Sequence, residues 1–153
     1  MKNSFLFIFF FLIFNSSIKA ENINIEAKNI TLNKNQKSSL FENEVKVETK
    51  DGYIIKSDSA DYNKETGILT LKKNIIGNDE KNNIIKADFA KYNENTKIFL
   101  TIGPTSIITS ENYSFESSDI TLNNSTKQIS SKNQTIVTDQ DKNKIFVENF
   151  EYQ

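Results

Sequence analysis

The stretch Ile55-Lys56-Ser57-Asp58-Ser59-Ala60-Asp61-Tyr62-Asn63 returns 30 residues later as Ile85-Lys86-Ala87-Asp88-Phe89-Ala90-Lys91-Tyr92-Asn93. Outward from this pair the same spacing holds in both directions. Ile25, Ile55, Ile85, Phe115 and Ile145 form one column, and Ala27, Ser57, Ala87, Ser117 and Val147 form a second two places on. Ile30, Ala60, Ala90, Ile120 and Phe150 form a third, and Leu32, Tyr62, Tyr92, Leu122 and Tyr152 a fourth. A fixed period with no insertions means one supersecondary unit copied along an axis, each copy burying its apolar face against its neighbours.

Two sets of turn residues punctuate each copy. One runs over Asn33 to Lys37, Asn63 to Gly67, Asn93 to Lys97 and Asn123 to Lys127; the other lies near Asp51-Gly52, Asp79 to Asn83, Ser110 to Asn112 and Asp139 to Asn143. Such residues tolerate left-handed backbone or hydrogen-bond their own main chain. The runs between them are rich in Ile, Val, Thr, Tyr and Phe, which favour strands. Helical periodicity is missing after Ala20. The expectation is an all-β domain with two strands and two turns per copy.

The column spacing carries a further constraint. Within each pair the columns are two residues apart, but the pairs are separated by three, and an odd step along a regular strand switches faces. For all four columns to face one interior, the strand must bulge or turn a corner near Asp58-Ser59, Asp88-Phe89 and Ser118-Asp119. A bent strand of this kind suits a folded-over antiparallel roll. A parallel β-solenoid, such as an adhesin stalk, also gives regular repeats and remains the alternative architecture.

Residues 1–20 stand apart. Lys2 opens a short basic start, Phe5 to Phe14 is an unbroken apolar run, and Asn15 to Ala20 is polar and small, the layout of a secretory signal peptide removed after Ala20. The run is too short to cross a bilayer as a helix, which takes about 20 residues. Residues 21–153 then form one domain. The chain stops just after the fifth copy of the column ending in Tyr152, and the expectation is a domain incomplete at its C-terminus or completed by a partner.

Composition narrows the function. All 19 basic residues are Lys, two of them (Lys2 and Lys19) in the signal region, leaving 17 against 20 acids and a net charge of about −3 for the remainder. With neither Arg nor a basic stripe, nucleic acid is set aside as a partner. Cys and His are absent, which removes the commonest nucleophile–base pairs and the usual transition-metal ligands. No enzyme, cofactor or metal is expected. The Asp58, Asp88 and Glu148 column reads as solvated corner residues, because sheet copies roughly 4.8 Å apart do not converge on one cation. The Asn33, Asn63, Asn93 and Asn123 column fits either an Asn ladder or turn chemistry. The Tyr column fits a core ladder or a ligand-facing track. The interior fits a core filled by the facing strands, or a slot taking acyl chains at ~0.8 kcal/mol per buried methylene, with small residues at Ala27, Ser57, Ala87 and Ser117 making room.

The two quoted stretches, with Thr66-Gly67, resemble the signature of the OstA-like domain shared by proteins of the lipopolysaccharide transport bridge. The resemblance spans roughly Ile23 to Gln153. The run Glu111-Asn112-Tyr113-Ser114-Phe115-Glu116-Ser117 and the later Ile129-Ser130-Ser131-Lys132 are most similar to the LptD branch, in its N-terminal periplasmic domain. Resemblance implies a twisted V-shaped antiparallel β-jellyroll whose groove holds the acyl chains of lipid A. It also implies strand addition to an LptA-like bridge protein and, if the chain is an LptD fragment, a C-terminal barrel with LptE inside it. The implied groove falls on Ile55, Ser57, Ala60, Tyr62, Ile85, Ala87, Ala90, Tyr92, Phe115, Ile120 and Leu122. The implied location is the periplasmic face of the outer membrane; a stand-alone LptA-like bridge protein or an anchored LptC-like component are the near alternatives.

Overall fold

Each hairpin of the fold begins with a side chain that captures its own loop. Asn63 Oδ1 accepts the N–H groups of Glu65 and Thr66 (both 3.0 Å), Asn93 those of Asn95 and Thr96 (2.9 and 3.1 Å), and Asn123 those of Ser125 and Thr126 (3.0 and 3.2 Å). The Asn column is turn chemistry, then, with a left-handed residue closing each loop at Lys37, Gly67, Lys97 and Lys127. At the opposite end Thr49, Asp79, Thr109 and Asp139 do the same work. Asp79 Oδ1, for example, accepts from the N–H groups of Lys81 and Asn83 at 2.9 and 2.8 Å.

The computed structural model describes residues 23–152; the signal-peptide reading of residues 1–20 lies outside them. Fourteen strands are described: β1 (Ile23–Glu26), β2 (Asn29–Asn33), β3 (Ser38–Thr49), β4 (Ile54–Asn63), β5 (Ile68–Asn78), β6 (Ile84–Asn93), β7 (Ile98–Thr101), β8 (Pro104–Ile108), β9 (Ser114–Ser118), β10 (Thr121–Asn123), β11 (Gln128–Ser131), β12 (Thr135–Thr138), β13 (Lys144–Val147) and β14 (Phe150–Tyr152). All pairings are antiparallel. That rules out the parallel solenoid.

The chain is an up-and-down meander in which every strand bends at the same level. The strands β3 to β6 pass through the bend intact, whereas the outer ones break there, as β1/β2, β7/β8, β9/β10, β11/β12 and β13/β14. Two leaves result. One runs β1–β3–β4–β5–β6–β8–β9–β12–β13, and the other runs β2–β3–β4–β5–β6–β7–β10–β11–β14. The fold is an open antiparallel β-jellyroll.

The corner falls at Asp58 and Asp88, where the column spacing demands one, but the extra residues sit on the neighbouring strands. Asn43 and Glu44 of β3 oppose Asp58 alone, and Lys73 and Asn74 of β5 oppose Asp88 alone. All four of these extra residues have positive φ, between 49° and 65°. The corner acids are exposed and hold the bulge: Asp58 Oδ2 accepts from Asn74 Nδ2 at 2.9 Å.

The bend turns all four columns toward one interior. Val45, Val47, Ala60, Leu69, Leu71, Ile75, Ala90, Tyr92, Ile107 and Ile120 are essentially inaccessible. Each large aliphatic side chain of this set contributes about 1.5–3 kcal/mol of burial. Across the interior, Phe115 of one leaf stacks on Phe150 of the other with ring centroids 5.1 Å apart. Burial of the columns fades in the terminal copies: Ile30 and Leu32 are 55% and 68% exposed at one edge, and Ile145 and Tyr152 are 53% and 38% exposed at the other.

Candidate functional site: the cleft between the leaves

Away from the bend the leaves part into a cleft of about 300 Å³. One wall is built by the loops after β3, β5 and β8, with Asp51, Tyr53, Asp79 and Glu111. The other is built by the β10–β11 hairpin, with Leu122, Asn124, Lys127 and Ile129. Beneath it lies a small apolar hollow of about 20 Å³ bounded by Ile55, Gly77, Ile85, Tyr92, Phe99 and Leu122. Tyr53, Gly77, Ile85, Leu122 and Asn124 border both, so the hollow is the floor of the cleft. Gly77 keeps that floor open: a Cβ there would stand 2.8 Å from Ile85 Cγ2.

Polar contacts span the mouth. Lys97 Nζ of one leaf lies 3.6 Å from Asp51 Oδ2 of the other, and Lys127 Nζ stands over the Tyr53 ring at 5.8 Å. These partly exposed pairs are worth little energy, ~0.2–1 kcal/mol each. Just inside, the Tyr92 phenol is buried and makes no hydrogen bond. Burial, with the charges of Asp51 and Glu94 added, pushes it up to about 12. Its repeat mate Tyr62 is half-buried and donates to Glu94 Oε1 at 2.9 Å.

The eleven columnar residues divide by position. Ile55, Ile85, Tyr92 and Leu122 border the cleft or its floor. Ser57, Ala60, Ala90 and Ile120 are packed in the bend, and Ala87 borders a shallower groove there with Pro104 and Ser117. Phe115 lies toward the C-terminal edge against Phe150 and Tyr152, and Tyr62 on the opposite side toward β2.

Half of the interior comes from strands the column reading passes over. The alternate strands repeat with the same period: Ser39, Leu69, Phe99, Ile129; Phe41, Leu71, Thr101, Ser131; Val45, Ile75, Thr105, Thr135; Val47, Gly77, Ile107, Val137. Their inward residues turn from aliphatic to hydroxyl along the chain. Thr105 Oγ1 donates to Thr101 Oγ1 at 2.8 Å, Thr101 Oγ1 accepts from Ile120 N at 2.9 Å, and Thr135 Oγ1 donates to Ser117 Oγ at 2.8 Å. The bend is therefore apolar in the first half of the roll and a satisfied hydroxyl network in the second. Beneath the polar mouth, the inward residues Leu69, Phe99, Ile129, Val47, Ile107 and Val137 stay apolar.

The fold is thus an open antiparallel jellyroll with a partly apolar cleft between its leaves. No family model matches the sequence, and no curated protein matches it. Among solved structures, the chain is similar to the crystal structure of LptH, the LptA-homologous periplasmic component of the conserved lipopolysaccharide transport device from Pseudomonas aeruginosa. The match has a TM-score of 0.59 at 14% identity, and covers 82% of this chain and 93% of LptH. That likeness is one of fold.

Proposed function

We propose that this protein is a periplasmic component of lipopolysaccharide transport, which holds the acyl chains of lipid A in the cleft between its leaves. The observation that carries the reading is the cleft itself: an apolar floor under a mouth of about 300 Å³, in a roll whose columns all turn inward. That volume is at the small end of ligand sites, which run roughly 300–1,000 Å³, so long chains extend along the axis or spread the leaves. The likeness of fold to LptH supports it. The role is passive, since a groove with no chemistry of its own equilibrates its ligand and takes direction from an energy source upstream.

Within that class the bridge-type component is the reading the fold favours, because the match spans 93% of LptH. The LptD reading, with its barrel and LptE, rests on the segments around Glu111–Ser117 and Ile129–Lys132. Co-purification of LptE with the protein distinguishes the two. Partners of the bridge type would add through the strand edges, where unpaired backbone groups await a further strand.

A photoreactive amino acid placed at Leu122 or Tyr92 is expected to crosslink to lipopolysaccharide in cells. Lys86 points outward and serves as the control. Labelling from Lys86 with none from Leu122 or Tyr92 would sink the groove.

A further inference from the structure

Two buried polar atoms, one at the floor of the cleft and one at its mouth, lack hydrogen-bond partners: the hydroxyl of Tyr92 and Oδ2 of Asp51. Tyr92 is 1% exposed and borders the apolar floor, and Asp51 borders the mouth directly above it. The Asp51 carboxylate is near enough to act electrostatically on the phenol. Its other neighbour, Lys97 Nζ, is at 3.6 Å, beyond hydrogen-bond reach. Leaving a buried donor or acceptor unmade costs about 1–3 kcal/mol, so native structures keep few of them and each asks for an explanation.

The chemistry of the pair is complementary. A phenol kept neutral offers a proton, while a carboxylate offers lone pairs. One hydroxyl group answers both, accepting from Tyr92 and donating to Asp51. Around them Ile55, Gly77, Ile85, Phe99 and Leu122 present apolar surface, and the polar side chains that share the hollow, Thr49, Tyr53 and Asn124, are not among the buried groups without a partner. A ligand that satisfies this floor is a hydrocarbon chain with a single hydroxyl set into it.

We infer that Tyr92 and Asp51 form a recognition point for a hydroxylated acyl chain, selecting it over the plain chain of the same length. This deepens the groove reading above and rests on it. The hydroxyl is a specificity element, while the hydrocarbon supplies the affinity. An unhydroxylated chain would leave the phenol and Asp51 Oδ2 without a hydrogen bond, the carboxylate keeping only its 3.6 Å ion pair to Lys97, and a polar site rejects an apolar analogue for that reason.

The test is displacement of a fluorescent stearic acid from the full protein by β-hydroxymyristic acid and by myristic acid. The wild-type protein is expected to favour the hydroxylated chain by about fivefold, the effect of one net hydrogen bond. Tyr92→Phe should erase the preference by bringing myristic acid up toward the hydroxylated chain, since the buried hydroxyl that the plain chain leaves without a hydrogen bond is gone. Asp51→Ala, in a loop, should erase it too and serves if Tyr92→Phe folds poorly. Equal displacement by the two acids in the wild type, or a preference that survives both substitutions, overturns the inference and leaves the groove reading standing. Failure of both acids to displace the probe, together with loss of the lipopolysaccharide crosslink from Leu122, overturns both.

Discussion

Burial sets the ionisation of Tyr92 apart from that of a free phenol. In an unfolded chain its phenol ionises near 10; in the fold burial, aided by Asp51 and Glu94, holds it neutral until about 12. Because the folded value is raised and the ionised form is the charged one, the stabilising effect is complete below pH 10 and is lost as pH climbs from 10 to 12. Tyrosinate absorbance should therefore show a step that titrates late, with unfolding setting in over the same window; burial with Asp79 and Asp51 nearby also raises Tyr53, so Tyr92→Phe, which should diminish the late step, makes the assignment. A late step that Tyr92→Phe leaves unchanged would contradict the buried placement. The phenol's position could be read from its column, since Tyr62, Tyr92 and Tyr152 recur in register. Their different surroundings could not, because exposure depends on how many neighbouring strands cover each copy. Asn63, Asn93 and Asn123 were legible for a local reason: an Asn side chain completes its hydrogen bonds within three residues of itself.

At the scale of the strand, the bend is set by a pair of residues rather than by one. The odd step between Ser57 and Ala60 announces a corner, yet Asn43-Glu44 and Lys73-Asn74, which make it, belong to strands whose own spacing is even and raises no alarm. Those alternate strands stay hidden for a second reason. Their inward positions include Thr101, Thr105, Ser131 and Thr135, whose hydroxyls satisfy one another or nearby main chain, so hydropathy does not mark them as core. The cleft floor suffers likewise, because Gly77 contributes by having no side chain. The left-handed conformation of Lys73, φ 63°, costs an ordinary residue roughly 1–2 kcal/mol. Lys73→Gly relieves that strain but adds about 0.4–1 kcal/mol of unfolded-chain entropy, leaving a net gain near ~0.5 kcal/mol. Lys73→Val, β-branched at the same φ, is expected to lose more than 1 kcal/mol, roughly. Urea midpoints of the two variants measure the difference, and a Val variant as stable as Gly would show that the bulge is not held in this conformation.

At the scale of the molecule, the decisive property is that the sheet does not close among the described residues. Among the described residues, β1 and β2 pair with β3 alone, β13 with β12 and β14 with β11. Both ends of the roll thus present unpaired strand backbone, and both carry exposed apolar side chains: Ile30 and Leu32 at one, Ile145, Phe146 and Tyr152 at the other. Soluble proteins usually blunt such edges with charge, proline or a covering loop, because an open edge templates another strand. Here both ends are apolar strand edges, and the period of the interior would continue across a junction between them. If the edges are the docking surfaces, one charge on an edge strand should abolish association while leaving the fold alone. Phe146 suits the purpose, being 64% exposed and lying on β13 opposite Ile136 of its single partner strand. Phe146→Lys is expected to leave the thermal midpoint within a few degrees, as surface substitutions usually shift stability by no more than about 0.5 kcal/mol. The same change should weaken association with a strand-adding partner, or with a second copy, by at least tenfold, roughly the effect of losing a large apolar anchor of ~1.4 kcal/mol or more. Analytical ultracentrifugation across a concentration series, with wild type and variant side by side, reads the outcome. Unchanged association would place the docking surface elsewhere than the β13 edge.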